Sequence, residues 1–156
     1  MEQFKIDQFR EENNGVSFPD FKSLSERECE EIRQQVCEAL GFPANLVGAS
    51  LSTQLTKLQS YVDGVNAENE NFELQAIAKS ICIGVQEKVF VNWHQFDKID
   101  QLSFENLAKY FSDIWYPSTD DIDIFDSSLL WIISIDHHGE IQIYCPEQNK
   151  GVKDHL

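Results

Sequence analysis

The feature that most constrains the fold is a pair of apolar segments flanking a short polar turn near the end of the chain. Residues 129–136 read LLWIISID, residues 140–145 read EIQIYC, and the turn between them contains Gly139. Glycine readily adopts the positive φ angles that tight hairpin turns require. The isoleucines of the second segment alternate with polar residues, which is typical of a half-buried strand. These features predict an antiparallel β-hairpin.

Several other segments carry clear signals of secondary structure. Ser25 and Glu28 form the pattern of a capping box, and Gly41 follows the apolar stripe of the helix that they would begin. Residues 88–93 read KVFVNW and predict a strand. Residues 103–111 predict a short helix that begins with a capping serine.

Two further helices are predicted from apolar residues at helical spacing. The first lies within residues 44–64, and the second runs from a cap at Asn71 to an end at Gly84. In the DDIDIFD segment the period changes to two, because Asp121 and Asp123 alternate with isoleucines. We interpret these two aspartates as the solvated face of an edge strand, where charge also discourages edge-to-edge aggregation.

The order of these elements predicts the fold class. Because helices predominate in the first half and strands in the second, we expect an α+β fold. Its antiparallel sheet would come mainly from the C-terminal half, with the N-terminal helices packed on one side. The sequence shows no repeat and no linker, so residues 1–156 are expected to form one globular domain with a polar tail from about residue 146.

Composition excludes several classes of partner. The chain has 12 basic and 27 acidic residues, which gives a formal net charge of −15. Direct binding to nucleic acid is disfavoured because such affinity comes mostly from Lys and Arg at phosphates. Anionic membrane surfaces are disfavoured for the same reason. The N-terminal segment lacks the apolar region of a signal peptide, and no apolar run is long enough to span a bilayer.

The four cysteines suggest a reducing compartment. Cys29, Cys37, Cys82 and Cys145 have no zinc-ligand spacing. Cys29 and Cys37 lie too far apart on one predicted helix to form a disulfide. We therefore expect all four to be reduced and structural, as in a cytoplasmic protein.

The distribution of charge points to a basic protein partner. Residues 110–149 contain eight acidic residues and no lysine or arginine. Acidity can serve solubility alone, but complementary charge also steers association with a basic partner. Trp115 can be a core residue, while a displayed tyrosine beside the acidic loop is suited to anchor an interface. The predicted partner-binding residues are Asp113, Tyr116, Asp120, Asp121, Asp123 and Asp126.

Neither a metal site nor a catalytic site is predicted. Counted from Asp121, the calcium-loop pattern requires glycine at its sixth position, where Asp126 stands. His137 and His138 lie in the turn and are expected to face solvent. His94 could act as a general base, but no serine or cysteine nucleophile motif accompanies it. We expect no cofactor, no metal and no catalytic residue.

Residues 112–141, SDIWYPSTDDIDIFDSSLLWIISIDHHGEI, resemble the C-terminal part of bacterial immunity proteins of polymorphic-toxin and contact-dependent-inhibition systems. The resemblance rests on D-I-W-Y-P after a helix, the following D-D pair, a strand containing tryptophan, and a hairpin closing with glycine. It implies a cytoplasmic protein that binds and neutralises a cognate toxin, often a basic nuclease.

The leading hypothesis is therefore a binding protein without catalysis, whose aspartates stand in for substrate phosphates in a cationic toxin cleft. Two alternatives remain open. One is an acidic adaptor or regulatory domain that docks another basic protein. The other is a metal-dependent hydrolase that uses the Asp cluster and His94.

Overall fold

A seven-stranded antiparallel sheet organises the residues that the computed structural model describes, 1–81 and 84–146. The helices in these ranges are α1 (Gln3–Glu12), α2 (Glu26–Leu40), α3 (Gly48–Leu58), α4 (Leu74–Ser80), α5 (Phe104–Lys109) and α6 (Phe111–Ile114). The strands are β1 (Phe21–Ser23), β2 (Ser60–Tyr61), β3 (Lys88–His94), β4 (Lys98–Ser103), β5 (Ile122–Phe125), β6 (Ile132–Ile135) and β7 (Ile141–Tyr144).

The strands lie in the order β1-β4-β3-β5-β6-β7-β2, and each neighbouring pair is antiparallel. The predicted hairpin is β6–β7, in which Ile135 is paired with Ile141. Gly139 lies in its turn with a φ of 77°, and its Cα approaches the Asn66 side chain closely. A side chain at this position would be strained and would also clash with Asn66.

The predicted α+β class is confirmed, with the sheet mostly in the C-terminal half. Helices α2 and α3 cover one face of the sheet, hereafter the α2–α3 face, where Leu51 and Leu55 join the cluster around Phe90 and Phe125. Helices cover the opposite face as well. There α4, α5 and α6 contribute to a second apolar cluster with the alternate residues of the same strands, such as Val89 and Val91.

Helix α2 begins and ends where its sequence predicts. The Ser25 hydroxyl accepts a hydrogen bond from the Glu28 backbone N–H at 3.2 Å, and the Glu28 carboxylate accepts one from the Ser25 N–H at 2.8 Å. The Lys22 side chain also bonds Glu28 and, together with this cap, lowers the pKa of Glu28 to about 2. Gly41 ends the helix in the left-handed conformation, with a φ of 73°.

Other boundaries differ from the sequence predictions. Within residues 44–64 the helix ends at Leu58 and is followed by the edge strand β2. Helix α4 has Glu73, rather than Asn71, at its N-cap position. The sequence predicts that this helix ends at Gly84, whereas α4 ends at Ser80. Cys82 and Ile83, which precede Gly84, lie outside the described residues. The Ser103 cap of α5 is confirmed by a hydrogen bond from the Asn106 N–H.

The N-terminal region contains a helix that no sequence signal predicted. Helix α1 begins without a side-chain cap and has a mostly polar sequence. Tertiary contacts stabilise it: Phe9 is buried and makes edge-to-face contacts with Phe18 and Tyr110. Phe4, in contrast, is 48% exposed.

The prediction that Asp121 and Asp123 border an edge strand is wrong. Strand β5 pairs with β3 on one side and with β6 on the other, so it is an interior strand. The pairing partner β3 lies about thirty residues upstream, and local alternation gives no information about such a distant neighbour.

Cys29, Cys37 and Cys145 are free and buried. Burial raises the pKa of the Cys29 and Cys37 thiols, which suits structural rather than reactive cysteines. Among the described residues, no helix combines the length and the apolar character needed to cross a bilayer.

Trp131 anchors the sheet through a buried polar contact. Its side chain is fully buried, and its indole Nε1–H donates to the Asp126 carboxylate at 3.0 Å. Asp126 is also fully buried and accepts further hydrogen bonds from the Gln86 N–H and from the N–H and hydroxyl of Ser128. The indole therefore fills space in the core and also provides one of the hydrogen bonds that the buried Asp126 carboxylate needs.

We predict that Trp131→Ala lowers the free energy of unfolding by about 3–5 kcal/mol because it leaves a large cavity. Trp131→Phe keeps an aromatic ring and removes the donor to Asp126, so a smaller loss of about 1–3 kcal/mol is expected. The control is Leu130→Ala at the exposed neighbouring position. Urea unfolding measures all three variants. Equal losses for Trp131→Ala and Leu130→Ala would contradict the assigned role.

Candidate functional site

A row of polar side chains crosses the α2–α3 face at one end of the sheet. Each of four neighbouring strands carries a large apolar residue on this face and a polar residue two positions away. The antiparallel register brings the polar members together, in the order Asn92, Asp123, Ser134 and Gln142. The apolar members form the adjacent row that α2 and α3 cover, Phe90, Phe125, Ile132 and Tyr144.

Hydrogen bonds connect the polar row. Asp123 accepts from Asn92 Nδ2 at 2.9 Å and from the Ser134 hydroxyl at 2.5 Å. Gln59, just beyond α3, donates to the Ser134 oxygen at 2.6 Å. Desolvation raises the pKa of Asp123, although these two donors favour its charged form. The row is thus a preorganised polar floor with a carboxyl group at its centre.

A third row of acidic residues follows the polar row at the end of the sheet. The strands β5, β6 and β7 each have an acidic residue directly next to the last paired residue at this end of the sheet. These residues are Asp121, Asp136 and Glu140, respectively. Asp121 is exposed and accepts from the backbone N–H and from Nδ1 of His137, both at 2.8 Å. This contact is the main reason that the pKa of His137 is raised. Glu140 is also exposed.

These rows border a cleft of about 870 Å³, hereafter the acidic cleft. Its lining includes two internal ion pairs, Lys5 with Asp120 and the Met1 amino group with Asp100. Apart from these pairs, the described part of the lining contains one lysine, Lys98, and six acidic residues: Glu2, Asp97, Asp121, Asp123, Asp136 and Glu140. A cleft with this excess of negative charge concentrates field lines and attracts cations.

Asp120, predicted as an exposed partner-binding residue, is buried. Its carboxylate pairs with Lys5 Nζ at 2.5 Å and accepts from the Tyr116 N–H at 2.8 Å. Lys5 is only 1% exposed, and it also donates to the Ile114 carbonyl and lies 4.3 Å from the centre of the Trp93 ring. Asp120 therefore fixes α1 to the domain and is not presented to a partner. Sequence could not reveal this because the pair spans 115 residues.

Two other predicted binding residues, Asp126 and Tyr116, also make contacts within the protein. Asp126 is the fully buried acceptor beneath Trp131, at the opposite end of β5 from the acidic cleft. Tyr116 contacts α1 through a ring contact with Phe4 and a hydrogen bond to Gln8 at 3.2 Å. Its ring also lies 4.8 Å from Lys5 Nζ. Its neighbour Trp115 is buried, which confirms the prediction that it is a core residue.

Only two of the six predicted residues, Asp121 and Asp123, line the acidic cleft beyond its internal ion pairs. Asp113 lies elsewhere, on α6 and half-exposed. The structure adds Asp136 and Glu140, which belong to the same acidic segment of sequence. The available signal was an acidic residue directly adjoining one end of each apolar strand, and only the register shows that these positions are adjacent.

His94 lines the acidic cleft and its side chain is exposed. Its backbone N–H donates to the Asn92 side chain where the pairing of β3 with β4 shifts register. Within residues 1–81 and 84–146, no group of three or more His, Cys, Asp and Glu side chains is arranged to hold a metal ion.

Comparison with known proteins adds no relative. No protein-family model, curated protein or solved structure matches this chain significantly.

The buried Lys5–Asp120 ion pair should contribute more to the free energy of unfolding than an exposed ion pair does. Lys5→Met should lower the free energy of unfolding by about 3–5 kcal/mol because Asp120 would remain as an uncompensated buried charge. Adding Asp120→Asn should recover part of this loss. The matched control is Lys22→Met, which breaks an exposed pair with Glu28 and should cost at most about 1 kcal/mol. Similar losses in urea unfolding for the two lysine variants would refute the structural role.

Asp113 gives a prediction about pH. Desolvation, and then the charge of Glu12, raise the pKa of Asp113 above 3.8. The ionised form therefore destabilises the folded state, and stability falls as pH rises from 3.8 through the raised pKa. Asp113→Asn should raise Tm at pH 7, and the gain should disappear below about pH 3, where the native carboxyl is protonated in both states. A gain that persisted in acid would exclude this cause.

Proposed function

We propose that this protein is a cytoplasmic immunity-type protein that binds and neutralises a basic toxin, with a nuclease domain as the favoured target. It would act by occupying the toxin's cationic cleft and would have no catalytic activity of its own. The observation that carries the proposal is the acidic cleft, which combines a hydrogen-bonded floor with an excess of carboxylates.

The difference in exposure among the carboxylates supports this use of the cleft. Asp120 and Asp126 are buried and engaged by donors from within the chain. Asp121 and Glu140 are exposed at the rim, where lysine and arginine side chains of a partner can reach them. Charged hydrogen bonds to such carboxylates are stronger than neutral ones. The proposed interface therefore uses the exposed Asp121 and Glu140, together with Asp123 and Asp136, which line the cleft and are half-buried, rather than the whole acidic segment.

Nuclease inhibition follows from the same chemistry. A nuclease cleft holds basic side chains that receive the phosphates of its substrate. Carboxylates at a protein surface offer these side chains the same kind of acceptor and exclude the nucleic acid sterically. The net charge of −15 adds long-range attraction, which accelerates encounter at low ionic strength.

The acidic cleft would equally suit a basic protein that is not a toxin, so an adaptor or regulatory role is the alternative. An immunity protein and an adaptor would bind their partners through the same surface, and they would differ only in the biological result of binding. Protection of a cell from a toxin is expected only of the immunity function.

The test is co-expression with the toxin candidate encoded directly upstream of this gene in its native genome. The protein should restore growth to cells expressing that toxin. Asp121→Asn combined with Glu140→Gln should weaken binding to the isolated toxin domain by roughly 1–3 kcal/mol, measured by calorimetry. The association rate should also fall steeply as salt rises from low to physiological concentration.

The matched control removes two exposed charges elsewhere. Glu30→Gln with Glu38→Gln alters the outer surface of α2 and should leave both binding and protection unchanged. Equal weakening by the two double variants would mean that net charge, and not the acidic cleft, determines binding. Absence of growth protection together with tight binding to another basic protein would favour the adaptor.

A further inference from the structure

The edge strand β2 presents an aromatic side chain beside the acidic cleft. Tyr61 is 62% exposed, the largest exposed fraction among the bulky apolar and aromatic residues that remain at the surface of the described chain. It pairs with Gln142 of β7 and so continues the polar row to the edge of the sheet. Leu58 and Val65, close to Tyr61 in the chain, are also partly exposed.

Tyr61 separates two concavities. It lines the acidic cleft on one side, and on the other a smaller depression of about 430 Å³ formed by residues 61–66 with Glu140 and Ile141. Glu140 also lines both. A tyrosine ring and an exposed carboxylate are thus placed together at the junction of two depressions. Tyrosine is among the residues enriched in interface hot spots, and the rim of an interface is usually polar.

We infer that Tyr61 and Glu140 form the centre of the docking surface for a basic protein and that they receive an arginine side chain. The inference rests on the proposed function for the basic character of the partner. Arginine fits this pair better than lysine, because its planar guanidinium stacks on an aromatic ring while donating two hydrogen bonds to a carboxylate. Asp63 and Asp136 add negative charge beside the two depressions.

Tyr61, rather than Tyr116, is the aromatic anchor of this docking surface. Tyr116 already contacts Phe4, Lys5 and Gln8 of α1 and is half-buried, so part of its ring is covered by the protein itself. Tyr61 lies on a two-residue strand at the edge of the sheet with most of its side chain available. Its replacement is therefore expected to leave the fold intact.

The test uses nona-arginine and nona-lysine peptides as probes at low ionic strength. In NMR titrations, nona-arginine should shift the backbone amides of residues 60–66 and 139–142 most strongly. Nona-arginine should bind about five-fold more tightly than nona-lysine, as expected of one stacked guanidinium. Tyr61→Ala should abolish this preference, Tyr61→Phe should retain it, and Glu140→Gln should weaken both peptides. Melting curves verify that each variant is folded.

Leu130→Ala is the matched control, because Leu130 is an exposed apolar residue at the other end of β6. It should change neither affinity nor preference. Shifts spread evenly over the acidic surface, or an unchanged preference in Tyr61→Ala, would overturn the inference. The toxin test is separate: growth protection that survives Tyr61→Ala supports the proposed function and rejects this anchor. Peptide binding at Tyr61 without growth protection rejects the toxin and keeps the anchor.

Discussion

The antiparallel register of β3, β5, β6 and β7 is the constraint on which the rest of the structure depends. It aligns one apolar residue from each strand beneath α2 and α3, and one polar residue from each strand beyond them. A slip of one residue in any strand would turn its side chains to the opposite face. Core packing and the floor of the acidic cleft are therefore produced by the same pairing, and neither can change without the other.

The aspartates of the acidic segment fall into two groups. Some are buried and stabilise the fold, and others are exposed and accessible to a partner. A carboxylate removed from water needs donors or a cation to compensate for lost hydration. Asp126 obtains donors from Trp131 and Ser128, and Asp120 obtains a cation from Lys5. At the rim of the acidic cleft, Asp121 and Glu140 are exposed to solvent, so an external cation can reach their carboxylates. Acidic side chains from one continuous segment are thus either held by internal partners or exposed to solvent, and their position in the fold decides which.

The same separation applies to the aromatic residues. Tyr116 stands in the most acidic part of the sequence, yet α1 packs against it. Tyr61 lies in a segment without an acidic run, but the pairing of β2 with β7 brings it beside Glu140. Neighbours in the chain therefore do not show that Tyr61 lies beside an acidic side chain, because that side chain belongs to an adjacent strand. Exposure and shape at the sheet edge make Tyr61 the stronger candidate for contact with a partner.

Local chemistry in the sequence was sufficient for the α2 cap, the Gly139 turn, the β6–β7 hairpin and the α+β class, because each depends on residues close in the chain. It also located the excess of negative charge. The tertiary structure alone decided that β5 is interior, that α1 forms, and which carboxylates face solvent. These outcomes depend on contacts between residues far apart in sequence, such as Lys5 with Asp120, and local periodicity contains no information about such pairs.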